Sequence, residues 1–343
     1  MAETLDEIAA RMVAPGKGIL AADESNSTIA KRFEKIGLTS TEDARRDYRE
    51  LLFRADEAMR NYVSGVILYD ETIRQKAKDG TPLVALIAGA GAVPGIKVDL
   101  GAKPLAGAPG ETITEGLDGL RERLAEYHGL GARFAKWRAV ITIADGLPTW
   151  NCVNANAQAL ARYAALCQEA GIVPIVEPEV LMDGANAVHD VDRCYDVTEW
   201  VLKTVFQELY VARVRLEGTV LKPSMVIAGN KAAKQASPAE VAEKTIRVLK
   251  NCVPPAVAGI AFLSGGQSDE AATEHLSRMN AIGGVPWPMT FSYGRALQAA
   301  AIKAWGGKAE NVRAAQAAFL HRAKMNSLAS LGTWKAELEK KAA

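Results

Sequence analysis

Seven short apolar runs in this 343-residue sequence end on, or just before, side chains that can do chemistry. Ile19–Ala22 runs into Asp23. Lys97 closes Gly95-Ile96-Lys97, and Lys136 and Arg138 stand in Phe134-Ala135-Lys136-Trp137-Arg138. Glu177 and Glu179 follow Ile172–Val176, and Lys222 follows Thr219-Val220-Leu221. The last two runs lead into Phe262-Leu263-Ser264-Gly265-Gly266 and Phe291-Ser292-Tyr293-Gly294-Arg295. The two-residue period of a strand puts Lys136 and Arg138 on one face, and likewise Glu177 and Glu179. One such charge alone reads as a solvated strand end. All of them entering one cavity read as a site, because buried charge is costly unless it is paired and put to use.

A partly buried lysine among other cations has a lowered pKa, so its amine can be neutral and nucleophilic. A neutral amine adds to a carbonyl to give a Schiff base, an electron sink for carbon–carbon cleavage. Neighbouring carboxylates supply the general acid and base. Lys222, with apolar residues before it and Pro223 after it, is the best candidate nucleophile. The turns Ser264–Gly266 and Ser292–Arg295 can cradle a phosphate with backbone N–H groups, and Arg295 can add a bidentate contact. Ser25, Thr28, Arg32 and Arg138 could form a second anion site across the mouth. Two anion sites flanking a reactive amine imply a doubly phosphorylated, sugar-like substrate. A metal site is not expected: the four histidines are isolated and none of the four cysteines forms a CxxC pair.

The elements that must position these groups are eight β-like runs: Ile19–Ala22, Val63–Tyr69, Val93–Val98, Phe134–Ile141, Ile172–Val176, Thr219–Val226, Gly259–Leu263 and Met289–Tyr293. Helical patterns such as Ala155–Glu169, Val197–Leu209 and Pro238–Asn251 lie between them. Parallel strands need crossover helices, so this alternation predicts an α/β fold, a closed (β/α)8 TIM barrel, rather than an open sheet. The open alternative would typically carry a Gly-rich phosphate loop after the first strand. No linker divides the chain, so a single domain is expected, with the barrel at about 17–305 and a C-terminal helix and tail at about 310–343. Helices Thr4–Met12 and Arg313–Leu328 would pack outside the barrel, and Ala336–Ala343 would be a frayed tail.

A net charge of +1 gives no bulk attraction to nucleic acid or membrane. No apolar run is long enough to span a bilayer, and the acidic start of the chain lacks a secretory signal, so a cytoplasmic location is expected. Basic pairs such as Arg45-Arg46 read as solvated faces.

Nearly the whole chain resembles the class I fructose-1,6-bisphosphate aldolases. The likeness rests on Lys17–Ser25, Gly95–Asp99, Phe134–Arg138, Ile175–Glu179, Leu221-Lys222-Pro223, Phe262–Ser268 and Thr290–Gln298. The resemblance implies that Lys222 is the Schiff-base lysine and Glu177 the general acid/base, with Asp23 assisting cleavage near the C4 hydroxyl. Lys136 and Glu179 would tune charge through the carbinolamine and imine steps. Lys97 and Arg138 would line the channel toward the sugar hydroxyls and the 6-phosphate, with Ser25 and Arg32 near its entrance. Ser264, Gly265, Ser292, Gly294 and Arg295 would hold the 1-phosphate. It also implies a metal-independent enzyme without cofactor, a cytosolic homotetramer of glycolysis and gluconeogenesis. Two departures stand out: the chain given ends at Ala343 without the tyrosine that closes many relatives, and Asn26-Ser27-Thr28 replaces a common Thr-Gly-Ser. The competing readings are a Schiff-base aldolase preferring sedoheptulose 1,7-bisphosphate or fructose 1-phosphate, and a catalytically silent scaffold.

Overall fold

A computed structural model describes residues 3–184 and 187–341. Eight parallel strands close into a barrel: β1 (Gly18–Ala22), β2 (Val63–Leu68), β3 (Val93–Lys97), β4 (Phe134–Ile141), β5 (Val173–Val180), β6 (Val220–Leu221), β7 (Gly259–Phe262) and β8 (Met289–Tyr293). Each strand pairs with its neighbours in chain order, and β8 closes on β1 through Ile19↔Ser292. Helices surround the sheet. One side of it packs on them through a large apolar cluster that includes Leu20, Val66, Trp137, Val176 and Phe291.

The other side faces inward and changes character along the barrel axis. At the N-terminal end Ile19, Ala21, Ile67, Val93, Phe134, Val173, Ile175, Val220 and Ala261 fill the interior. Gly95 is required there, because a Cβ would lie 2.3 Å from the Phe134 ring. Ile8, Ala9 and Met12 of the helix Leu5–Met12 plug this end, and that helix is set by a capping box between Thr4 and Glu7. Two residues further along the same strand faces stand the charged groups: Asp23 beyond Ala21, Lys136 beyond Phe134, Glu177 beyond Ile175, Lys222 beyond Val220. The two-residue period thus builds a dry floor and a charged chamber from one set of strands.

The structure departs from expectation in several places. β5 runs on to Val180 through Pro174 and Pro178, which pair with Ala135 and Ala139. Both prolines lie on the face opposite Glu177 and Glu179, so only N–H groups of one parity are lost. β6 stops at Leu221 rather than Val226, since Pro223 donates no N–H; Ser224 replaces the missing ladder by donating to Val180 O (3.0 Å) and accepting from Val180 N (3.1 Å). Helices begin earlier than predicted, at Trp150 and Val191, where Thr149 and Asp190 accept capping hydrogen bonds. An antiparallel hairpin, Ala102–Pro104 with Thr112–Thr114, was not foreseen. The tail is docked up to Glu339, whose carboxylate takes hydrogen bonds from Arg322 (2.7 Å) and Trp334 (3.0 Å); Ala342 and Ala343 lie outside the described residues.

Candidate active site

The C-terminal ends of the strands open into one cavity of about 880 Å³. Asp23, Ser25, Thr28, Arg32, Lys97, Lys136, Arg138, Glu177, Glu179, Lys222, Ser264, Gly265, Ser292, Gly294 and Arg295 all line it. Gly266 does not: with a positive φ of 69° and no room for a Cβ beside Met182, it lines a neighbouring depression that shares Arg295.

The floor of this cavity is a chain of charges. Lys136 Nζ lies 3.0 Å from Asp23 Oδ2 and 3.3 Å from Glu177 Oε2. The other oxygen, Glu177 Oε1, is 3.1 Å from Lys222 Nζ. Lys136, Glu177 and Lys222 are each buried, at 5%, 3% and 4% exposure, so the low surrounding polarity strengthens these contacts. Strand register produces the arrangement. Arg138 pairs with Glu177 between β4 and β5, and Lys222 N donates to Val176 O at 2.8 Å, which brings Lys222 level with Glu177.

Burial alone would raise the Asp23 pKa, but the charges of Lys136, Lys222 and Lys97 outweigh it and hold the carboxyl below its ordinary value. Burial opposes the charged form of Lys136 too, yet Asp23, Glu177 and Asp99 overcome it and push the ammonium's pKa up. For Lys136, then, carboxylates prevail over neighbouring cations, contrary to the lowering expected for a lysine in this chamber.

Around this floor, Arg138 is ion-paired with Glu179, and Lys97 pairs with Asp99 Oδ1 at 2.9 Å. Gly265 sits so close to Glu179 that a Cβ would lie 3.0 Å from Oε1. Ser292 Oγ is buried and has no hydrogen-bond partner among the described residues, leaving its hydroxyl for a ligand. Across the mouth Ser25 caps the helix Asn26–Glu34, its hydroxyl 3.0 Å from Thr28 Oγ1, while Arg32 pairs with Glu24.

Six charged lining residues were missed in the sequence: Glu24, Asp99, Asp183, Lys31, Lys35 and Lys303. Lys31 and Lys35 are four residues apart on and just past the Ser25-capped helix. Ala299, Ile302 and Lys303 follow Arg295 at helical spacings of four, seven and eight. That periodicity was the available signal.

A floor of this kind, with a buried amine sharing a carboxylate with a charged neighbour, can carry imine chemistry. The family described as "Fructose-bisphosphate aldolase class-I" matches residues 4–343. The chain is 58% identical over 334 residues to "Probable fructose-bisphosphate aldolase class 1" of Xanthomonas campestris pv. campestris, covering 97% of this chain and 99% of that protein. It is 53% identical to "Fructose-bisphosphate aldolase C" of Carassius auratus, covering 96% and 90%. Among solved structures, Plasmodium falciparum fructose-bisphosphate aldolase, in complex with TRAP and a small-molecule inhibitor, superposes with a TM-score of 0.93 at 47% identity, covering 97% of this chain and 95% of that one. The chain belongs to the class I fructose-bisphosphate aldolase family and is a lyase.

Proposed function

We propose that the chain is one catalytic domain that cleaves fructose 1,6-bisphosphate through an imine on Lys222. The observation that carries this reading is the Glu177 carboxylate, shared between Lys222 Nζ at 3.1 Å and Lys136 Nζ at 3.3 Å. Transfer of a proton from the Lys222 ammonium to Glu177 Oε1 leaves a neutral amine, while Lys136 stays charged on the other oxygen. The amine adds to the C2 carbonyl, and Glu177 protonates the departing hydroxyl of the carbinolamine, which is lost as water. The protonated imine then takes up the electron pair as the C3–C4 bond breaks and Glu177, ionised again by the preceding step, accepts the C4 hydroxyl proton; glyceraldehyde 3-phosphate departs and an enamine remains. Glu177 returns that proton to C3, and hydrolysis of the imine releases dihydroxyacetone phosphate and regenerates the amine.

Asp23, held ionised by Lys136, is a weak proton store, which suits it to orient the C4 hydroxyl and oppose the charge of the imine. Glu179 and Arg138 form the second ion pair beside Glu177. Lys97 and Arg138 face the sugar hydroxyls. Ser264, Gly265, Ser292, Gly294 and Arg295 hold the 1-phosphate, with Gly266 shaping their turn from outside the cavity. Ser25, Thr28 and Arg32 receive the distal phosphate. The proposed setting is a cytoplasmic homotetramer. Exposed Trp150, Val188, Tyr210 and Val211 offer apolar surface for neighbouring copies, which sedimentation velocity would detect.

Cleavage of fructose 1,6-bisphosphate in excess EDTA tests the mechanism. Full activity is expected for the wild type, with a loss of about 10²–10⁴-fold in kcat for Glu177→Gln. Abolition by EDTA, or an unchanged kcat in Glu177→Gln, would contradict it.

A further inference from the structure

Behind the mouth of the cavity lies a buried arginine that touches neither the cavity nor solvent. Arg49, on the helix Glu42–Phe53, is 2% exposed, and its Nη2 lies 2.7 Å from Glu24 Oε2. Its Nε and Nη1 have no hydrogen-bond partner among the described residues. The other oxygen, Glu24 Oε1, pairs with Arg32 and accepts a hydrogen bond from Gln298 Nε2 at 2.9 Å. Gln298 is itself fixed, donating to Ala21 O at 2.7 Å and accepting from Tyr48 OH at 3.1 Å. One carboxylate therefore serves two guanidinium groups, and one positive charge is left over next to the cavity. Burying an under-bonded arginine is costly, and an apolar side chain would serve packing better.

We infer that Arg49 is a positioning residue for the distal phosphate: by sharing the charge of Glu24, it leaves Arg32 able to bind an anion instead of being neutralised. The inference rests on the reading that Arg32 receives that phosphate. Without Arg49, Glu24 and Arg32 would form a closed one-to-one pair, and anion affinity at the mouth would fall while the chemistry on the floor continued.

The test compares kcat and KM for fructose 1,6-bisphosphate and fructose 1-phosphate, which lacks the distal phosphate, on the same preparation. Arg49→Met is expected to raise KM for the bisphosphate about 10-fold with kcat within about 3-fold, and to leave kcat/KM for the monophosphate within about 2-fold. Arg49→Lys should recover most of the preference. In an Arg32→Met background, Arg49→Met should have no further effect on the ratio of the two kcat/KM values. A ratio that falls in Arg32→Met but not in Arg49→Met overturns the inference and leaves the reading of Arg32 intact. A ratio unchanged in both overturns that reading as well. If Arg49→Met yields no folded protein, the charge-balanced Glu24→Gln/Arg49→Met is assayed instead. Recovery of the wild-type ratio supports the inference, and a ratio as low as that of Arg32→Met overturns it.

Discussion

The floor and the mouth of the cavity treat positive charge in opposite ways. On the floor every cation has a carboxylate partner: Lys136 with Asp23 and Glu177, Lys222 with Glu177, Arg138 with Glu179, Lys97 with Asp99. At the mouth Lys31, Lys35, Lys303 and Arg295 are exposed and have no ion-pair partner among the described residues. Arg32 lies between the two regimes, paired with a carboxylate that it shares. Paired charges with little exposure to solvent are little affected by salt. Unpaired charges around an opening attract an incoming anion and are screened. Under the proposed function, the chemistry and the capture of substrate are thus separated along the barrel axis by one difference, the presence or absence of an acidic neighbour.

The contrast can be broken hardest at the floor. Lys222→Met removes the amine and should lower kcat for fructose 1,6-bisphosphate by about 10⁴-fold or more, the scale on which loss of a covalent nucleophile acts, while substrate still binds. At the mouth the effect should be smaller and confined to binding. Lys31→Met/Lys35→Met/Lys303→Met is expected to raise KM about 10-fold at low salt with little change in kcat. Between about 10 mM and 150 mM ionic strength the wild-type KM should rise more steeply than that of the triple variant, because the screening length shrinks from about 30 Å to about 8 Å. Parallel salt slopes for KM would show that these lysines do not capture the substrate.

Stability against pH gives the mildest test. Because the folded pKa of Asp23 is depressed, its contribution is present above its ordinary value of 3.8 and is lost as pH falls through the folded one. The advantage of wild type over Asp23→Asn in denaturant unfolding, on the order of a few kcal/mol, should be flat near neutrality and shrink in acid. A difference that grows on acidification would contradict the ion pair with Lys136.

Much of the floor was legible because strand alternation is a two-residue rule: once Phe134, Ile175 and Val220 are taken as inward, Lys136, Glu177 and Lys222 must follow them. What escaped was set by tertiary partners. Arg45 reads as part of a solvated basic face, yet it folds onto Glu71 at 2.5 Å and is mostly buried. Arg49, one helical turn on, gives no local sign that Glu24 lies against it across more than twenty residues of sequence. Pro174 and Pro178 look like breaks in a strand and are accommodated because both fall on the same face. The tail reads as frayed because nothing near Glu339 in sequence reveals Arg322.

The proposed chemistry requires a reactive amine on Lys222, and trapping addresses it directly. Borohydride reduction in the presence of dihydroxyacetone phosphate, followed by peptide mass mapping, should fix the three-carbon phosphate on Lys222 and inactivate the enzyme in step with labelling. Labelling of Lys136 or Lys97 instead, or cleavage activity that survives reduction with no lysine modified, would contradict the imine.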